Sequence, residues 1–302
     1  MFQHVFSDRR RFQSSFGGPV IEVSNFMQIT TTDGVSIHIR RQGAGPEPVL
    51  LIHGSFATSR WWMPATALLP PDAFTTYLVD LRGCGGSDRP EDPAGYAVEQ
   101  QARDIAAVIE ELGLSGVHLV GHSLGAAIAL TYAVEHAYLL RSLTLVSTPS
   151  PEGTPTPPEG YELLAQMRGD RALLAQALAS VMPARPPDAL FQQLVADAAG
   201  QAPIAFTETA RALEEWRLDR ELRSRLLLPV LLMWGDRDQF VERPAQNQLL
   251  LSIPGANNLE VFRGCGHSPM LERTEGFAQA LLDFIGQEFD AYAAVREQSG
   301  NP

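Results

Sequence analysis

The sequence predicts an α/β fold: a mostly parallel central sheet flanked by helices, with a helical cap inserted between strands. Three observations carry that prediction: short apolar runs without alternation, amphipathic stretches between them, and one long strand-free stretch opened by prolines. At 302 residues, 45% of them hydrophobic, the chain can bury a large core, which excludes a disordered or fibrous protein.

Residues 26–41 alternate β-forming side chains around Asp33-Gly34, a dipeptide suited to a tight turn, and read as two antiparallel strands. Beyond them, residues 49–52, 75–79, 117–120, 143–146 and 230–233 are apolar runs of strand length, as expected of strands buried on both faces. The clearest helix covers residues 98–112, where Val98, Ala102, Ile105, Ile109 and Leu112 recur at helical spacing and Gly113 supplies the stop. Strands alternating with helices imply right-handed crossovers and hence a mostly parallel sheet.

The alternation stops between Ser150 and Arg225. Pro151, Pro155, Pro157 and Pro158 open this stretch. Helices are expected over residues 159–181, 187–199 and 203–218, separated by Pro183-Ala184-Arg185-Pro186 and Gly200-Gln201. Because strands resume at Leu228, these helices are expected to form a cap over the sheet's carboxyl edge, where α/β folds place their ligands. The expected division is an N-terminal arm or tail (1–25), a core in two pieces (26–149 and 226–292), a cap (150–225) and a C-terminal tail (293–302).

Composition excludes several classes of partner. The formal net charge is −12 and all 23 basic residues are Arg, so no Lys-rich patch exists to neutralise a phosphate backbone, and no nucleic-acid partner is expected. No run of about 18 apolar residues suggests a membrane span. Residues 1–18 lack the continuous apolar stretch of a signal peptide. Cys84 and Cys265 stand in Gly-rich segments and read as free thiols in a reducing compartment, so a cytoplasmic protein is expected; a monomer or homodimer is expected separately.

The chemistry centres on Gly121-His122-Ser123-Leu124-Gly125, which follows an apolar strand and opens a helix of small residues. In that setting the glycines let strand and helix approach closely, and Ser123 is held on a strained turn that lifts its hydroxyl above the sheet. A serine hydroxyl is a poor nucleophile near neutral pH and needs a base and a group to orient that base. His267 and Asp238 are the candidates, both in loops after strands, in the chain order serine, acid, histidine. His53 and His122 are the rival histidines, each bound into a tight strand-end turn. Asp236 competes with Asp238, and Glu152 is a more distant choice. Asp238 is preferred because it lies farther from the strand and can turn toward a neighbouring loop, whereas Asp236 is suited to capping turn amides. An oxyanion would be met by the Leu124 amide and by a second amide after His53-Gly54, that of Ser55 or, alternatively, Phe56.

These motifs resemble the α/β-hydrolase family, specifically its lidded branch of esterases, lactonases and carbon-carbon bond hydrolases. The resemblance covers about residues 26–290. It rests on His53-Gly54 with Trp62 downstream, Asp80-Leu81-Arg82-Gly83-Cys84-Gly85-Gly86-Ser87, the serine turn, Gly235-Asp236-Arg237-Asp238, and Gly266-His267-Ser268-Pro269-Met270-Leu271-Glu272. Within such a family Ser123 argues against epoxide hydrolases and haloalkane dehalogenases, which carry Asp at that position. His53-Gly54-Ser55 departs from the glycine-rich patterns of hormone-sensitive-lipase-like esterases and proline iminopeptidases.

The implied reaction is two-step acyl transfer at Ser123 with no cofactor and no metal. Phe56, Met167, Phe206 and Trp216 are the candidate substrate contacts, suggesting a small to medium apolar ester or lactone. Carbon-carbon hydrolysis, perhydrolysis or cyanohydrin cleavage could use the same three residues, and a receptor could retain them without turnover.

Overall fold

Phe26–Thr30 (β1) and Ser36–Gly43 (β2) form the expected antiparallel pair, with Phe26 opposite Arg40 and Thr30 opposite Ser36. The connection is longer than a two-residue turn. The Thr31 amide donates to the Val35 carbonyl at 2.9 Å and the Gly34 amide to the Thr31 carbonyl at 2.9 Å, so the turn spans residues 31–35. The computed structural model describes residues 26–287. The expected N-terminal arm and C-terminal tail lie outside these residues.

The chain then alternates strands and helices. Glu47–Ile52 (β3), Met63–Thr66 (α1), Phe74–Val79 (β4), Val98–Glu111 (α2), Val117–His122 (β5), Leu124–His136 (α3) and Leu140–Val146 (β6) come first. Five helices follow: Pro158–Met167 (α4), Arg171–Val181 (α5), Ala189–Ala199 (α6), Ala205–Glu215 (α7) and Arg220–Arg223 (α8). Val230–Gly235 (β7), Arg243–Ser252 (α9), Ala256–Phe262 (β8), Pro269–Glu272 (α10) and Thr274–Ile285 (α11) complete the described chain. The eight strands form one sheet in the order β1-β2-β4-β3-β5-β6-β7-β8. Antiparallel pairing is confined to β2, which opposes β1 and β4; every other pair is parallel.

Side chains alternate across each strand, so the sheet feeds two apolar clusters. Leu50 and Ile52 join Leu119 and Leu145 against α2 and α3, while Val49 and Leu51 join Trp61, Trp62, α11 and the inserted helices. Burying each of these large aliphatic side chains contributes roughly 1.5–3 kcal/mol.

The inserted segment differs in detail from the periodicity. The single helix expected over residues 159–181 is two, because Asp170 caps α5 by accepting from the Ala172 and Leu173 amides at 2.9 and 3.0 Å. α6 begins after Asp188 rather than at Pro187, since the Asp188 carboxylate accepts from the Phe191 amide at 2.9 Å. α8, only one turn long, is too short to show a period. Asp197 of α6 fastens the segment to the loop after β3, accepting from Arg60 Nε at 2.7 Å and Thr58 Oγ1 at 3.0 Å.

Candidate active site

Ser123 occupies the turn between β5 and α3 with φ +53° and ψ −118°, a left-handed conformation that a residue with a side chain rarely adopts. The packing holds it there. Its amide donates to the Val146 carbonyl at 2.9 Å, and a Cβ on Gly125 would lie 2.2 Å from the Ile52 carbonyl oxygen, so only glycine lets α3 start this close to β3. Gly54 is equally constrained: a Cβ there would lie 2.9 Å from the Ser123 Cβ. That contact brings the loop after β3 against the serine. Strain of this kind, on the order of 1–3 kcal/mol, persists only where the surroundings enforce it.

Asp238 and His267 meet across the ends of β7 and β8. His267 Nδ1 and Asp238 Oδ2 are 2.8 Å apart, and the other carboxylate oxygen accepts from the Phe240 and Val241 amides at 2.9 and 3.0 Å. Burial alone would raise the Asp238 carboxyl, but the neighbouring His267 ring and the two amides outweigh it and hold the group below the usual carboxylate value. An ionised carboxylate facing Nδ1 makes that nitrogen the proton donor and leaves Nε2 as the basic one.

The rival groups are occupied elsewhere. His53 places Nδ1 2.8 Å from the Gly54 carbonyl and accepts the Leu81 amide at Nε2, at 3.0 Å. His122 donates from Nε2 to the His267 carbonyl at 2.9 Å, its ring centre 5.0 Å from that of His267; burial, reinforced by His267, pushes its pKa down to about 3. Asp236 accepts from the Gly264 amide at 2.6 Å, and Glu152 holds Arg223 at 2.7 Å. The structure therefore brings Asp238, not Asp236 or Glu152, to His267.

The Leu124 amide opens α3, and Ser55 and Phe56 form the turn beside Gly54; none of these three amides makes a hydrogen bond among the described residues. Phe56 stands at φ +59°. Its ring meets Phe206 edge-on at 5.4 Å, and Phe206 and Met167 belong to the cluster that joins the inserted helices to the sheet.

Trp216 corrects the sequence reading. It leaves the end of α7 with extended backbone, is 1% exposed, and donates its indole N–H to Thr131 Oγ1 on α3 at 3.0 Å. The ring packs in the cluster behind α3, not in the one shared by Phe56 and Phe206.

Two residues of the site carried no role in the sequence reading. Phe240, 62% exposed, sets its ring 5.5 Å from that of His267; its place two residues after Asp238 is the available signal. Glu272 turns a buried carboxylate onto the loop that carries His267. Both cysteines are buried free thiols; burial, with Asp80 adding, pushes Cys84 up to about 12, and burial followed by Glu272 raises Cys265. Among the described residues no group of three or more His, Cys, Asp or Glu side chains is gathered to hold a metal ion, and no helix is long and apolar enough to cross a membrane.

Known proteins share this fold. The family model described as alpha/beta hydrolase fold matches residues 47–274. The chain is similar to 2-hydroxy-6-oxononadienedioate/2-hydroxy-6-oxononatrienedioate hydrolases of Paraburkholderia phymatum, with 30% identity over 83% of this chain and 91% of that protein. The protein of the same description from Cupriavidus pinatubonensis is 28% identical over 88% of this chain and 97% of its own length. Among solved structures, an esterase from Exiguobacterium antarcticum superposes with a TM-score of 0.78 at 26% identity, covering 86% of this chain and 99% of that one.

Proposed function

The chain belongs to the alpha/beta hydrolase fold family, and from that premise we propose that it is a serine hydrolase cleaving a carboxylic ester or lactone of a small to medium apolar compound. The observation that carries this reading is the 2.8 Å contact of His267 Nδ1 with an ionised, doubly amide-bound Asp238, on the same sheet edge as a serine held at positive φ.

In this mechanism His267 Nε2 takes the proton of Ser123 as Oγ attacks the substrate carbonyl carbon. The tetrahedral oxyanion is met by the Leu124 amide and by that of Ser55 or Phe56. Collapse expels the alkoxide, which takes the proton from His267, and leaves an acyl-enzyme. Water, deprotonated by the same imidazole, then attacks the acyl carbon; collapse breaks the bond to Ser123 Oγ, which takes the proton back from His267 as the acid leaves. Residues 150–225 act as a cap that selects substrate.

The side chains tied to the site by ring contacts favour an apolar acyl group: Phe240 beside His267, and Phe56 with Phe206 next to the Gly54 turn. A second reading, hydrolysis of a carbon-carbon bond in a 2-hydroxy-6-oxo-dienoate with or without a second carboxylate, such as 2-hydroxy-6-oxononadienedioate, is favoured by what the similar proteins of P. phymatum and C. pinatubonensis are described as acting on.

A fluorophosphonate probe is expected to label Ser123 and to leave the Ser123→Ala protein unlabelled; persistent labelling of that variant overturns the nucleophile. Turnover of p-nitrophenyl esters and lactones, run beside a 2-hydroxy-6-oxo-dienoate, separates the two readings. A preference for the dienoate by about a hundredfold or more in kcat/KM replaces the first with the second.

A further inference from the structure

His267 is specified by its backbone as much as by its ring. Its amide donates to the Val181 carbonyl at the end of α5, at 2.8 Å, and its carbonyl accepts from His122 Nε2 at 2.9 Å. The amides on either side converge on one side chain: Gly266 N–H donates to Glu272 Oε2 at 3.0 Å and Ser268 N–H to Oε1 at 3.2 Å. Glu272 is 7% exposed, and its two oxygens also receive the Ala184 amide at 3.0 Å and the Cys265 thiol at 3.5 Å. Ala184 lies between α5 and α6, so one carboxylate joins the histidine loop to the inserted helices. The fit is close: a Cβ on Gly266 would lie 2.4 Å from Pro183 Cδ and 2.6 Å from the Val181 carbonyl oxygen.

The local chain makes this reach possible. Ser268-Pro269 starts α10, and the Leu271 and Glu272 amides return to the Ser268 carbonyl at 2.9 and 3.1 Å. One helical turn then folds the Glu272 side chain back onto the amide of Ser268, the reciprocal logic of a capping box displaced by one residue. Asp238 already satisfies the ring nitrogen Nδ1, so the remaining freedom of His267 is movement of its loop as a body.

We infer that Glu272 is a positioning residue for the proposed reaction, clamping the backbone on both sides of His267 and tying that loop to the connector between α5 and α6. The inference rests on the proposed role of His267 as base. No other side chain among the described residues accepts from both amides that flank His267. Glu272→Gln is the informative change. Its amide group can present an oxygen to only one of the two sites, so either Gly266 and Ala184 or Ser268 and Cys265 must face another donor. The loop keeps its packing but loses half of its clamp.

The test compares wild type, Glu272→Gln and Glu272→Asp in hydrolysis of p-nitrophenyl acetate and in the low-field proton resonance of the His267 Nδ1–H bond to Asp238. For Glu272→Gln, kcat is expected to fall about tenfold to a hundredfold, as a small displacement of a base allows, with KM within about threefold. The resonance is expected to shift or broaden. Glu272→Asp keeps the charge but is one methylene short, and should fall between the two. A kcat within about twofold of wild type and an unmoved resonance overturn the inference. Failure of both variants to fold where wild type folds also overturns it, because the carboxylate then serves the fold and not the base. Ser123→Ala and His267→Ala run in the same assay keep the two claims apart. If these retain turnover, the proposed mechanism fails; if they abolish it while Glu272→Gln stays active, only the positioning role fails.

Discussion

Replacing Asp238 by Asn tests the site more sharply than removing it, because the surrounding bonds dictate how the amide must sit. Asp238 uses one oxygen for the Phe240 and Val241 amides and the other for His267 Nδ1. Asn has a single oxygen, and turning it toward His267 would set its NH2 group against two backbone donors. The favoured orientation keeps the oxygen on the two amides and presents NH2 to Nδ1. Nδ1 must then accept, the ring proton moves to Nε2, and the nitrogen proposed to face Ser123 is no longer a base. A loss of about two to four orders of magnitude in kcat follows, or about 3–5 kcal/mol of transition-state stabilisation, with KM little changed. The assay is steady-state hydrolysis of p-nitrophenyl acetate, with a thermal melt to show that the fold survives. Asp236→Asn is the control: among the described residues its side chain accepts from the Gly264 amide alone, and activity should stay within about tenfold. Equal losses in the two variants, or a larger one for Asp236→Asn, would refute the reasoning.

Gly266→Ala should lower activity on p-nitrophenyl acetate by at least about tenfold, because the added methyl must displace either Pro183 or the His267 loop; wild-type kinetics would show that the close approach is slack. Acid should weaken the fold through Asp80, whose buried carboxyl burial alone would raise but which His38, His53 and the Gly86 and Ser59 amides hold at about 2. A carboxyl lower in the folded than in the unfolded chain stabilises above the ordinary value of 3.8 and loses that contribution as pH falls toward 2, here about 2 kcal/mol. Urea midpoints should fall over that window in wild type and less steeply in Asp80→Asn; parallel curves would remove the assignment. Phe206→Ala should reduce the ratio of kcat/KM for octanoate over acetate esters, at roughly 0.8 kcal/mol per methylene no longer buried. Trp216→Phe should leave the ratio unchanged and cost about 1 kcal/mol of stability by orphaning Thr131; a changed ratio would return Trp216 to the pocket.

The parts of the site legible in the sequence are those whose geometry is local. Gly121 to Gly125 encodes a strand, a turn and a helix within a few residues, so the strained placement of Ser123 follows from neighbours in the chain. Asp238 and Asp236 differ locally only in distance from the end of β7, since both reach the loop after β8: Asp236, nearer the strand, caps the Gly264 amide, and Asp238, farther along, meets His267. The inserted helices were legible as helices but less so at their ends. Asp170 and Asp188 act as caps whose effect on a helix start depends on one side-chain bond, and an apolar stripe continues across the break without recording it.

Trp216 and Glu272 mark where local reading stops, and for opposite reasons. An apolar side chain at the end of a helical stripe identifies a buried face but not the partner it is buried against. Phe206 and Trp216, from the same inserted segment, fall into two clusters, and Ala212 of α7 already belongs to the one that holds Trp216. Glu272 stands in full view in the motif around His267, yet one of its four donors is the Ala184 amide, 88 residues earlier. The consequence is that the His267 loop and the inserted helices do not vary independently. Val181 receives the His267 amide, Ala184 shares the carboxylate that holds Gly266, and Pro183 lies where any larger residue at 266 would need room. A change of sequence between α5 and α6 therefore also bears on the loop of His267, the proposed base. Under the proposed mechanism, the lengths and residues tolerated there are limited by proton transfer as well as by fit to substrate.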